Sequence, residues 1–104
     1  MLEINFEFRK GIFFIRLIGN LSKETPIDKI NELNKLIIDN KFKYVVINTN
    51  YLNMVDLTGL SYLTEVCCVT KEIASNLIIC DKSKLLKTLL NDNVPNINTE
   101  KEVL

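Results

Sequence analysis

The sequence predicts a single α/β domain in which a mixed sheet of four to five strands carries helices mainly on one face. Three observations predict it. The apolar pattern switches repeatedly between a period of two and a period near 3.6, the signatures of strand and helix. Two short apolar runs, at 44–47 and 77–80, have the unbroken character of strands covered on both faces. At 104 residues, 47% hydrophobic and 25% charged, the chain can bury one core. Strands that alternate with helices imply parallel pairing wherever a helix crosses over, and the domain is assigned to residues 1–104.

Leu2, Ile4, Phe6 and Phe8 alternate with Glu3, Asn5, Glu7 and Arg9, which marks a half-buried strand. Lys10-Gly11 is a turn signal. The β-branched and aromatic run 12–18 is the return strand of a hairpin, closed by Gly19-Asn20. Thr25-Pro26-Ile27-Asp28 predicts a helix start, with Thr25 as the cap and Pro26 at the first helical position. Ile27, Ile30, Leu33, Leu36 and Ile37 then recur at helical spacing until Asn40-Lys41. The run 44–47 is a central strand, and 48–53 reads as a polar loop.

A second helix is expected over 58–74. Leu60, Leu63, Cys67 and Thr70 form one stripe, and Tyr62, Val66, Val69 and Ile73 another. So wide an apolar arc needs a sheet beneath it. Residues 76–80 form another buried strand. A third helix over 81–91, capped by Ser83, is expected to bury Leu85, Leu86, Leu89 and Leu90 before Asn93-Val94-Pro95 breaks it. Ile97 marks a vestigial last strand. Thr99-Glu100-Lys101-Glu102 has capping-box spacing and opens a short final helix.

Composition excludes several functions. Lys plus Arg and Asp plus Glu are both 13, so the formal net charge is zero. No basic excess is present to displace counterions from nucleic acid or to bind an anionic membrane surface. The longest apolar stretch, 12–18, is interrupted by Arg16 and falls well short of the roughly 20 residues that span a bilayer. Glu3 and Glu7 stand where a secretory leader would carry bases. These features predict a cytoplasmic protein without membrane insertion or a nucleic-acid partner.

The chain contains no histidine, which removes every His-based triad, dyad and metal cluster. Its three cysteines, Cys67, Cys68 and Cys80, lack CxxC spacing and read as small apolar residues rather than a disulfide framework or a zinc site. No Gly-rich phosphate loop is present. Asp56 and Glu65 lie more than two turns apart on one helix, too far for an acid/base pair. No catalytic residue, metal or cofactor is therefore expected, and the chain reads as a binding module rather than an enzyme.

One segment stands out, at the carboxyl end of a central strand where α/β proteins gather their sites. Asp56 is placed to cap the second helix, its carboxylate accepting N–H groups from the first turn and meeting the positive end of the helix dipole. Thr58 lies in that first turn. Gly59 permits close approach of another backbone or of a partner. Met54, Val55 and Leu57 are apolar at the loop-to-helix junction, a common mark of a contact surface. On the spacing alone the segment reads first as an ordinary helix cap, since caps of this type are common.

The element order, with the segments Ile12-Phe13-Phe14-Ile15-Arg16-Leu17-Ile18-Gly19-Asn20-Leu21, Tyr44-Val45-Val46-Ile47-Asn48 and Met54-Val55-Asp56-Leu57-Thr58-Gly59-Leu60, resembles the STAS domain over nearly the whole chain. That family includes bacterial anti-sigma factor antagonists and the tails of sulphate transporters. In the antagonists the corresponding loop reads Asp-Ser-Ser-Gly or Asp-Ser-Thr-Gly. The serine after the aspartate is phosphorylated by a kinase that is also the anti-sigma factor.

The resemblance implies a protein partner of that kind, with roles in signal transduction and transcription regulation. It implies contact through Ser22, Asn53, Met54, Asp56, Leu57, Thr58, Gly59 and Leu60. Leu57 occupies the usual phosphoacceptor position and has no hydroxyl. Thr58 matches the second hydroxyl residue of the motif and is the remaining phosphorylation candidate. The segment Gly19-Asn20-Leu21-Ser22 departs from the family's acidic Gly-Glu-Leu. Three readings follow: a constitutive antagonist, a switch acting through Thr58, or an accessory subunit of a stress-signalling scaffold or lipid-transport ATPase complex. A homo-oligomer is compatible with each.

Overall fold

The computed structural model describes residues 1–74, 76–89 and 94–104, apart from the side chains of residues 87 and 89. The chain runs β1 (Leu2–Arg9), β2 (Ile12–Leu21), α1 (Ile27–Asn40), β3 (Tyr44–Asn48), β4 (Leu52–Val55), α2 (Leu57–Ile73), β5 (Asn76–Cys80), α3 (Leu85–Leu89), β6 (Asn96–Ile97) and a terminal 3-10 helix (Glu100–Val103). Lys10 (φ 52°) and Gly11 (φ 80°) turn the first hairpin with both residues left-handed, as a two-residue turn between twisted strands requires. The resulting register sets Phe8 opposite Phe13 and Phe6 opposite Ile15, so the apolar positions of β1 share a face with Phe13, Ile15 and Leu17 of β2.

The six strands lie in the order β1-β2-β3-β5-β6, with β4 paired to β2 beside that path. β1 is antiparallel to β2, and every other pair is parallel. On one face Phe13, Ile15 and Leu17 of β2, Val45 and Ile47 of β3 and Ile79 of β5 meet Ile30, Leu33 and Ile37 of α1 and Leu63, Val66 and Cys67 of α2. Fully burying one such side chain stabilises by about 1.5–3 kcal/mol. On the other face Phe14, Val46 and Cys80 form a smaller cluster, with Ile97 and Val103 packed on it. The terminal helix is held there by Arg16, which donates to both carboxylate oxygens of Glu100 (2.9 and 2.7 Å) and to Glu7 (2.7 Å). Thr99 and Glu102 form the expected capping box. No helix among the described residues is long and apolar enough to cross a membrane.

Several local expectations are corrected. Residues 52–55, read as part of a polar loop and its exit, form β4. β2 does not end at Gly19-Asn20 but continues to Leu21. Gly19, at φ 102°, carries a register shift there, and a Cβ on it would stand 2.4 Å from the Met1 carbonyl oxygen. Thr25 does not cap α1; its hydroxyl accepts the Ser22 N–H (3.1 Å) and closes the turn from β2, so Pro26 holds the cap position with no side-chain bond.

The third helix starts at Leu85 rather than at 81, because the Asp81 carboxylate accepts from the Ser83 N–H and hydroxyl and folds 81–84 into a turn; its predicted end at Asn91 lies outside the described residues. Ser83 does accept the Leu85 N–H (3.3 Å). Leu86 is buried, but Leu85 is 54% exposed rather than buried. Expectations for the Leu89 side chain, Leu90 and Asn93 fall outside the described residues.

Candidate functional site

The candidate site lies where β2, β4 and α2 meet. Parallel pairing sets Met54 beside Asn20 and Val55 beside Leu21. The Asp56 N–H then points to the Leu21 carbonyl (3.4 Å). Its own backbone is extended, and the Leu60 N–H bonds back to its carbonyl at 2.8 Å, opening α2. The Asp56 carboxylate does two things. Oδ1 accepts the Gly59 N–H at 2.8 Å, which is the expected cap, and Oδ2 accepts the Lys23 N–H at 3.0 Å. The second bond ties the helix start to the β2–α1 turn and was not legible in the sequence. These two N–H groups hold the carboxyl below its ordinary range.

Gly59 is where the closest approach occurs. A Cβ there would stand 1.9 Å from the Leu21 carbonyl oxygen and 2.5 Å from its carbon. The backbone that Gly59 admits is therefore β2 of the same chain. Gly59 itself is buried.

All eight residues singled out in the sequence lie at or next to this junction, but at different depths. Leu57 is 85% exposed, and Asn53 and Met54 are exposed. Asp56, Thr58 and Leu60 are half-buried. Ser22 is buried, with its hydroxyl accepting the Glu24 N–H at 3.2 Å. The outer surface thus carries an apolar knob, Leu57, on the first turn of a capped helix, and Met54 is exposed on the strand before it. Glu65 lies on the exposed side of α2, remote in sequence from Asp56. This arrangement suits contact with another surface.

No protein-family model matches the sequence. Solved structures do. The anti-sigma factor antagonist SpoIIAA in its unphosphorylated form matches with a TM-score of 0.72 at 14% identity, over 99% of this chain and 93% of that one. The fold is that of the STAS domain. An anti-sigma factor antagonist from Mycobacterium paratuberculosis matches with a TM-score of 0.74 at 14% identity, over 98% and 90% of the two chains. The Bacillus cell-fate determinant SpoIIAA in its phosphorylated form gives 0.68 at 14% identity, over 99% and 96%. At such identity the likeness is one of fold, and it agrees with the resemblance read from the three sequence segments.

Proposed function

We propose that this chain is a non-enzymatic regulatory module that binds a protein partner through the start of α2 and the strand before it. The partner class is an anti-sigma factor that is also a serine kinase. The observation that carries the reading is Leu57, 85% exposed on a helix start that Asp56 and Gly59 hold in place. A solvated leucine at so ordered a position gains by being covered. A leucine cannot accept phosphate, so modification at the usual acceptor position cannot switch this binding off. The fold it shares with SpoIIAA supports the partner class.

Leu57→Asp, measured by titration calorimetry against purified anti-sigma kinases of the source organism, is expected to abolish binding, since it would mimic charge at the acceptor position and desolvate a carboxylate. Unchanged affinity overturns the proposal. Phosphosite mapping of the protein from its own cells is expected to find Thr58 unmodified. A phosphate there that varies with growth condition would replace the constitutive reading with a switch displaced by one residue.

A further inference from the structure

β1 is the outermost strand of the sheet and pairs only with β2 among the described residues. The direction of its backbone groups follows from two contacts. Asn20 donates its N–H to the Met1 carbonyl (3.3 Å), and Leu2 stands opposite Gly19. Bonded positions alternate along an antiparallel pair. The odd-numbered residues of β1 therefore face β2, and Leu2, Ile4, Phe6 and Phe8 turn their N–H and C=O groups outward. The Lys29 ammonium already takes the Leu2 carbonyl. Ile4, Phe6 and Phe8 remain as an open template for another strand.

The same three side chains are apolar; Ile4 is half-buried against the core, and the two phenylalanines are poorly covered. Phe6 is 43% and Phe8 62% exposed. Phe6 stacks on Phe13 at 5.6 Å between centroids, and Phe8 leans on Phe42 at 5.9 Å. Beside them, between β1 and α1, lies a groove of about 650 Å³ lined by Ile4, Phe6, Leu33 and Leu36, with Lys29 and Glu32 at its polar rim.

We infer that this edge pairs with β1 of a second copy of the chain, antiparallel, about a two-fold axis through Phe6. The charge pattern selects both the partner and the register. With the axis at Phe6, Glu3 of one copy faces Arg9 of the other, Asn5 faces Glu7, Ile4 faces Phe8 and Phe6 faces Phe6. The pairs Ile4–Phe8 and Phe6–Phe6 exchange both backbone bonds, using only the groups left free. Phe8 of the second copy then lies beside Ile4, over the groove. Moving the axis to Asn5 would oppose Glu3 to Glu7 and call on the Leu2 carbonyl that Lys29 holds. Moving it to Glu7 would oppose Glu7 to itself. Of the registers that engage Ile4, Phe6 and Phe8 together within the strand, only this one opposes unlike charges, and it is self-complementary as an isologous contact requires.

The test is sedimentation equilibrium of the full chain over a concentration series reaching about 1 mM, with amide exchange followed by NMR on the same samples. The expected result is a reversible dimer, with concentration-dependent protection confined within β1 to the amides of Ile4, Phe6 and Phe8. Glu3→Arg alone, or Arg9→Glu alone, is expected to raise the dissociation constant roughly tenfold, because each opposed pair occurs twice. The double exchange Glu3→Arg with Arg9→Glu is expected to restore it. Both positions are exposed, so the fold is not at stake. Phe6→Pro, which removes an outward N–H and no bond to β2, is expected to give a monomer. A chain monomeric throughout overturns the inference and leaves the edge to an extended segment of a different protein. A dimer that the single charge changes do not weaken, or that the double exchange does not restore, overturns the register.

Discussion

Gly59 and Gly11 make a controlled pair at the level of single residues. Gly59→Ala would press a methyl group to within 1.9 Å of the Leu21 carbonyl oxygen, where both neighbours are backbone and cannot swing aside. A loss of about 3 kcal/mol is expected, read as a lowered urea midpoint. Gly11→Ala meets nothing within 4 Å and carries only the strain of φ 80°, about 1 kcal/mol. If the two variants lose equally, the close-approach account is wrong.

The cysteines give a second test. Burial pushes the Cys67 thiol up to about 12 and the Cys80 thiol up to about 11, whereas Cys68 is exposed. Native protein titrated with a thiol-disulfide reagent should show Cys68 reacting fast, and the other two only after unfolding. The sequence made Gly59 legible as a place of close approach, and Asp56 as a cap. It could not say that Leu21 was the approaching backbone or that Lys23 shared the carboxylate. Both depend on β4 lying beside β2, a contact between segments about thirty residues apart.

Elements whose apolar period runs over several turns or several strand positions were readable; elements defined by a few polar side chains were not. α1, α2, the hairpin and both central strands lie where the periodicity puts them. β4 escaped because Leu52 and Val55 are separated by Asn53 and Met54, both exposed, and only the partner strand makes that stretch regular. At the start of α1, Thr-Pro-x-Asp fits a cap and fits a closed turn equally well, and the turn won. This difference is measurable. Were Thr25 a cap, Thr25→Asp would be neutral or better for α1. With Thr25 buried and its hydroxyl holding the Ser22 N–H, the carboxylate must instead be desolvated in a tight turn, and a loss of about 1–3 kcal/mol in thermal or urea unfolding is expected.

Two carboxylates report on the molecule as a whole. Glu100 is held below its ordinary range chiefly by the Arg16 guanidinium, and Asp56 by backbone N–H groups. Each contributes stability that is present above the unfolded-state carboxylate pKa, near 4, and is lost as pH falls through the lower folded-state value. With no histidine in the chain, stability should be flat from about pH 5 to 8 and decline only below about pH 4. Urea titrations across pH check this, and a main transition near pH 6.5 would contradict it. Glu100→Gln should flatten part of the acid limb while costing about 2 kcal/mol near neutrality, as the Arg16 fork loses a charged partner.

The junction of Gly59 with Leu21 has a final consequence. Because the α2 start is locked to β2 by main-chain packing and to the Lys23 turn by Asp56, Leu57 is displayed on a frame that is already rigid. The docking surface proposed there would surrender little conformational freedom on association, only the rotamers of its outermost side chains. Association through it is therefore expected to proceed as rigid-body docking, with backbone positions in free and bound protein agreeing to about 1 Å and with affinity differences among variants appearing in dissociation rather than in encounter.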